Sequence, residues 1–175
     1  MSNDLGVVLE AASILARTRP QVRIVFLGDG KEKAKLEEQA KRLKLANVLF
    51  LPPVPKNEMA LALAGADACL AILKPLEEYK TTYPNKVFDY MAAGRPVVLA
   101  IDGVIRKVVE DASCGIFAKP GDPAALAAAI KTMADEPELS RRMGLAGRRY
   151  LEAHFSRDRI AEKLLGILEG LTKRQ

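Results

Sequence analysis

At 175 residues the chain suits one domain, long enough to bury roughly 70% of the surface that its unfolded form exposes. Hydrophobic residues make up 49% and charged residues 28%, an ordinary globular balance, and no run approaches the ~18 apolar residues of a membrane span. The 27 basic and 22 acidic residues leave a net charge of +5, which suits an anionic small ligand, an anionic membrane surface or nucleic acid. The basic residues are dispersed, however, and five Phe and four Tyr give little support to an RNA-binding sheet or basic arm, so no nucleic-acid partner is expected. The opening MSNDLG lacks a basic and apolar leader, which reads as cytoplasmic. Cys69 and Cys114 fall in different predicted elements without metal-like spacing, and both are expected to be reduced thiols.

Residues 5–18 carry apolar positions at helical spacing, stopped by Pro20. VRIVFLG (22–28) is a continuous apolar run ended by glycine, the pattern of a strand buried on both faces. An amphipathic helix over 31–44 follows, with Leu36, Ala40 and Leu43 inward. NVLFLPPV (47–54) is a second strand, a short helix lies around 56–65, and ADACLAIL (66–73) is a third strand. A helix from about Pro84 to Ala93 precedes the strand PVVLAI (96–101), and a helix around 103–112 leads to the strand GIFAK (115–119).

Strand and helix alternate five times, which predicts an α/β fold: a Rossmann-like, doubly wound parallel sheet of about five strands with helices on both faces. A helical tail closes the chain. Asp122 is a predicted N-cap with Pro123 at the first helical position, Pro137 opens another helix, and a last helix over about 156–171 carries one apolar stripe. No repeat, low-complexity segment or linker divides the chain, so residues 1–175 read as one domain.

Ligands of an open parallel sheet bind beyond the carboxyl ends of its strands. LGDGK (27–31) places glycines there, which allow either a close ligand or merely a tight turn; it is neither GxGxxG nor a P-loop. VPKNE (54–58) offers extended backbone before a helix. The third place is TTYPNKVFDYMAAGRPVV (81–98), with Tyr83 extended ahead of Pro84, Gly94 past the helix end, and Pro96 blocking continuation. Val87, Phe88, Met91 and Ala92 form the predicted buried side. Lys86 and Asp89, three apart, share another side. One reading is a capped helix with a surface Lys86–Asp89 pair of little energetic weight. The other gives the free N–H groups of Asn85, Lys86 and Val87 to an anion, and Asp89, one turn deeper, to a diol such as a ribose. Phosphate and diol together describe a nucleotide.

These same residues carry a family likeness. From LEAASIL through FLGDGKEKAKLEEQAKRL, PNKVFDYMAAGRPVV and CGIFAKPGDPAALAAAI to YLEAHFSRDR, the chain resembles the C-terminal, donor-binding half of the retaining GT-B glycosyltransferases of group 1. The block from Pro84 to Val98, taken with PGDPAALA at 120–127, is the most specific part. In that family the helix matching 84–93 carries the second of two glutamates eight positions apart, which binds the ribose. Asp89 stands there in this chain, and Thr81 stands where the first glutamate touches the transferred sugar. The TTYPNK segment resembles a capsule and exopolysaccharide branch. The resemblance implies that Thr81, Thr82, Tyr83, Pro84, Asn85 and Lys86 line the pyrophosphate and sugar, that Gly28, Asp29 and Gly30 border the nucleotide, and that Pro53 and Val54 lie near the base.

It further implies a UDP- or GDP-linked sugar as donor substrate, a glycan or lipid-linked acceptor, no organic cofactor and no metal, since no Asp-x-Asp or His-rich cluster is present. The family's half-molecule normally starts with a strand and a glycine-arginine loop followed by a lysine, whose position falls near Asn3. That strand and the N-terminal acceptor domain are expected to be missing partners, making the isolated fragment inactive. The remaining strands then close up, borrow a strand from a partner such as a homodimer mate, or leave a defect. Peripheral membrane contact is expected of the parent enzyme. Two other readings stand beside this one: a non-catalytic interaction module docking through the last helix, and half of a GT-B-fold nucleotide-sugar epimerase. The epimerase would need cleft histidines, whereas the sole His154 lies in the helical tail and, like Cys114, reads as structural.

Overall fold

A computed structural model of the chain describes residues 3–172. In chain order it contains α1 (Leu5–Thr18), β1 (Ile24–Leu27), α2 (Lys33–Arg42), β2 (Val48–Leu51), α3 (Met59–Ala64), β3 (Cys69–Ile72), α4 (Asn85–Ala92), β4 (Val97–Ala100), α5 (Val104–Asp111), β5 (Gly115–Phe117), α6 (Pro123–Asp135), α7 (Pro137–His154) and α8 (Arg157–Thr172). All strand pairs are parallel. The α/β alternation is as the sequence predicts. No helix among the described residues is long and apolar enough to cross a membrane.

The five strands do not form one sheet. β1 pairs with β2 and β3–β4–β5 pair in order, as two separate parallel sheets. In parallel ladders the peptide groups of alternate residues point to opposite edges. Ile24 and Gly28 donate to Asn47 and Leu51, so Val25 and Leu27 turn their peptide groups to the other edge, where no strand lies. Cys69 and Leu73 donate to Pro96 and Ala100, leaving Leu70 and Ile72 on the open edge of β3. There the Leu70 carbonyl accepts instead from the Tyr90 hydroxyl, at 3.4 Å.

α1 holds the halves together. Its residues Leu9 and Ala12 pack with Leu36, Ala40 and Val48 over the β1–β2 pair, and its Val8, Ala11 and Leu15 pack with Ile72, Val98, Ala100 and the α6 residues Leu126, Ala129 and Met133. Asn47 adds a buried bond, its Nδ2 donating to the Ala12 carbonyl at 2.9 Å. α4, α5 and α7 cover the opposite face of β3–β4–β5 around Val87, Met91, Leu99, Ile105 and Cys114.

Among the described residues no helix shields the opposite face of β1–β2, so the expectation of a first strand buried on both faces is corrected. Val25 is 49% exposed, and its register partner Leu49 and the next same-face residue, Leu51, are exposed beside it. α3, which connects β2 to β3, buries none of its side chains. Leu43 and Ala92, expected to point inward, are exposed as well.

α7 approaches the core by backbone rather than side chain. A Cβ at Gly144 would overlap the Gly94 carbonyl oxygen, and one at Gly147 would fall 2.8 Å from Cβ of Cys114. A Cβ at Gly166 in α8 meets open space. Gly144→Ala is therefore expected to destabilise by about 1–3 kcal/mol, as overpacking does. Gly166→Ala is expected to be neutral or stabilising by up to about 1 kcal/mol through helix propensity. Denaturant unfolding of the two variants checks the contrast; equal effects would mean that α7 does not seat on Gly94.

Candidate functional site

The sequence-derived residues all lie past the carboxyl ends of strands, in two groups. Gly28, Asp29 and Gly30 follow β1, and Pro53 and Val54 follow β2; the Gly28 N–H donating to the Leu51 carbonyl at 3.1 Å sets the two loops side by side. Gly28 has φ +126°, a conformation that glycine alone adopts freely, and nothing lies within 4 Å of a Cβ built there or on Gly30. The Asp29 carboxylate is turned onto its own loop, accepting from the Gly30 N–H at 2.8 Å.

The second group follows β3. A 3-10 turn over Glu77–Thr81 leads to Thr82, Tyr83, Pro84 and α4. The Thr81 hydroxyl donates back to the Glu78 carbonyl at 3.3 Å, which ties it to the turn. This turn is clamped from behind by Gly103, at φ +95°, where a Cβ would overlap the Lys80 backbone. Sequence reasoning passed over that glycine, although the Asp-Gly pair after a strand is a signal for a special turn.

Pro84 is the N-cap of α4, with φ −68° and ψ 121°, rather than its first helical residue, and no side chain caps the helix. The Val87 N–H bonds to the Pro84 carbonyl at 3.0 Å, so of the three N–H groups expected to be free, those of Asn85 and Lys86 remain. At the other end Gly94, at φ +66°, closes α4 in a Schellman motif: Arg95 N–H donates to Tyr90 and Gly94 N–H to Met91, both at 3.0 Å.

Lys86 does not pair with Asp89. Its Nζ donates to Oδ1 of Asn3 at 3.0 Å, the residue just ahead of Asp4, the N-cap of α1. Asp4 likewise makes no side-chain cap bond. Two uncapped helix N-termini are thus tied together by an ammonium whose bonding partner is a neutral amide. Burial pushes the Lys86 pKa below the ordinary lysine value. The Asp89 side chain is exposed, and among the described residues no hydrogen bond or ion pair holds its carboxylate. The halves of the site therefore meet through α1 and the Asn3–Lys86 bond, which links residues 83 apart in sequence.

Neither thiol is poised for chemistry: burial pushes Cys69 and Cys114 up to about 11. His154 lies against the Tyr150 ring, with centroids 4.3 Å apart. A cleft of about 210 Å³ opens beside the site, between the 3-10 turn and the loops after β4 and β5, lined by Lys74, Tyr79, Lys80, Asp102 and Lys119 among others. None of the sequence-derived residues lines it.

Comparison with known proteins gives a consistent picture. The family described as "Glycosyl transferases group 1" matches residues 3–150. The D-inositol 3-phosphate glycosyltransferase of Streptomyces avermitilis is 31% identical over 156 residues, covering 83% of this chain and 32% of that protein. The putative glycosyltransferase EpsD of Bacillus subtilis is 29% identical, covering 91% of this chain and 40% of its own. The chain spans about a third of the length of the first of these curated relatives. Among solved structures, Anabaena Alr3699/HepE in complex with UDP superposes with a TM-score of 0.82 at 22% identity, over 96% of this chain and 45% of that one. The C-terminal domain of the group 1 protein LpcC from Francisella tularensis gives 0.71 at 16% identity, over 86% of this chain and 78% of that one. The fold is that of the GT-B glycosyltransferases.

The lowered Lys86 pKa makes a signed prediction. A bound anion stabilises the ammonium and raises that pKa, so binding takes up protons wherever free Lys86 has begun to lose its own. Affinity for sulfate, an anion that does not itself titrate there, is expected to fall as pH rises from neutral towards the ordinary lysine value of 10.5. Lys86→Met is expected to weaken binding and flatten this profile. Calorimetry in buffers of different ionisation enthalpy checks it; an identical profile in the variant would remove Lys86 from the site.

Proposed function

The chain belongs to the glycosyl transferases group 1 family, and from that membership we propose that it is the donor-binding domain of a retaining hexosyltransferase that uses a nucleotide-diphosphate sugar. The observation that carries the reading is the meeting of the α1 and α4 N-termini at Lys86. Two positive helix ends and a desolvated cation without an anionic partner make a site for a diphosphate. Asp89, free of partners and a turn further along α4, is then available to accept both hydroxyls of a ribose. The base runs towards Pro53 and Val54, with Gly28 and Gly30 allowing close approach. The UDP complex of the similarly folded Anabaena protein favours a uridine nucleotide as the first to test.

Chemistry at such a site is positioning plus electrostatics. As the glycosidic bond to the diphosphate breaks, negative charge grows on the leaving oxygens, and the two helix ends and Lys86 stabilise it in place. The proposal involves neither organic cofactor nor metal. It includes an acceptor-binding lobe facing this one, an acceptor that is a glycan or lipid-linked glycan in polysaccharide synthesis, and action at the cytoplasmic membrane surface. This domain alone is expected to bind donor without turning it over. One feature fits the interaction-module reading too: α8 exposes Ile160, Leu164, Ile167 and Leu171 along one stripe, a face that needs cover.

Titration of the protein with UDP, GDP and ADP tests the proposal. Saturable binding of one of them is expected, weakened in Asp89→Ala by about 1.5–3 kcal/mol, as for a hydrogen bond to a charged group. No binding of any nucleotide would overturn the donor-site reading, and binding unaffected by Asp89→Ala would remove the ribose assignment.

A further inference from the structure

α7 has two unlike sides besides its buried one. Ser140, Gly144 and Gly147 face the core. On one flank Arg141 pairs with Glu138 at 3.1 Å and Arg148 with Glu152 at 2.9 Å, so these charges are matched within the helix. At ~100° of rotation per residue, Arg142, Leu145, Ala146 and Arg149 fall on one strip roughly opposite the core. Among the described residues no carboxylate pairs with Arg142 or Arg149, and Leu145 is exposed between them. A groove of about 340 Å³ lies on this strip, lined also by Leu139, Met143 and Ser113.

α8 repeats the spacing with the charge reversed. Glu162, Leu165, Gly166 and Glu169 stand at the same i, i+3, i+4 and i+7 positions that Arg142, Leu145, Ala146 and Arg149 hold in α7. Every described side chain of α8 is exposed, this strip included. Gly166 lowers helix propensity in mid-helix, and a Cβ there would meet only open space, so nothing within the copy requires it. A second helix would, because small residues let two helix axes come close. The strip lies across α8 from Ile160, Leu164, Ile167 and Leu171, so its use leaves that apolar stripe for other cover.

The two strips do not meet within one copy. Only Phe155 and Ser156 join the helices, and the Phe155 ring is held 5.0 Å from that of Phe88, on the core side of α7. We propose that the α8 strip of one copy docks on the α7 strip of a second copy. In either helix orientation each glutamate meets an arginine. Run antiparallel, Leu165 packs on Ala146 and Leu145 on Gly166, large against small. A guanidinium takes a carboxylate through two parallel bonds, and a carboxylate has about four lone-pair sites, so each glutamate can do this beside any contact it already makes. A two-fold axis makes the contact twice, with α8 of each copy on α7 of the other.

Sedimentation equilibrium of the whole chain, from about 1 µM to 1 mM, tests the docking. Wild type is expected to dimerise as concentration rises. Arg142→Glu/Arg149→Glu and Glu162→Arg/Glu169→Arg are each expected to dimerise roughly 10-fold more weakly, because every attraction between the strips becomes a repulsion. Mixed in equal amounts, the two variants recover wild-type affinity, since each reversed strip finds its opposite in the other. Should a reversed variant fail to fold by circular dichroism, Arg142→Gln/Arg149→Gln takes its place, with a smaller loss expected and no loss counting against the proposal. Wild type that stays monomeric over the whole range overturns it. So does association that neither reversal weakens, which would assign the contact to the sheet edges or the apolar stripe. Loss in both folded variants without recovery in the mixture overturns it as well.

Discussion

One helix with two apolar sides sets the form of this molecule. α1 presents Leu9 and Ala12 to one pair of strands and Val8, Ala11 and Leu15 to a set of three, and both groups are almost fully out of solvent. Fully burying an aliphatic side chain is worth about 1.5–3 kcal/mol. The association of the two sheets is thus carried by side chains packed beneath α1 rather than by a ladder of peptide hydrogen bonds between them. Parallel sheets in doubly wound folds are ordinarily continuous and covered on both faces. Here continuity is replaced by a strut, and one face of β1–β2 stays uncovered.

The candidate site inherits this division. Its glycine loop and the Pro53–Val54 turn ride on the two-stranded half, and the segment from Thr81 to Asp89 rides on the three-stranded half. The Asn3–Lys86 bond crosses between α1 and α4 at the point where the two positive helix ends converge. Under the proposed reading, a diphosphate placed there would offset the repulsion between these dipole ends and the half-buried ammonium. A nucleotide reaching from Lys86 to Val54 would touch both halves, so its binding energy would also work to hold them in register.

Much of this was legible in the chain. Alternation of β-branched runs with amphipathic stretches located every strand and helix. The residues that end elements did so for the reasons that their chemistry predicts: Asp122 accepts from the N–H groups of Ala124 and Ala125, and Gly94 takes the left-handed turn after α4. What local pattern does not contain is pairing. VRIVFLG reads as a doubly buried strand because its composition is uniformly apolar, yet exposure of Val25 depends on which elements lie across the sheet. Lys86 and Asp89 look like partners because they are three residues apart, while the bond that forms is to Asn3, brought close by the packing of α1 alone. The resemblance marked Asn3 as the place where a basic residue is absent, and the structure puts a lysine there from another helix.

The open edges have a colloidal consequence. Apart from the Leu70 carbonyl, which accepts from Tyr90, the outward peptide groups along β1 and β3 have no strand partner, and Val25, Leu49 and Leu51 are exposed on the β1–β2 pair. Edge strands of this kind in other proteins are blunted by charge, proline or a bulge, and this pair carries none within Ile24–Leu27 or Cys69–Ile72. A net charge of +5 keeps copies apart at long range but is screened within about 8 Å at physiological ionic strength. Salt that screens this charge therefore weakens the long-range repulsion between copies that expose these faces.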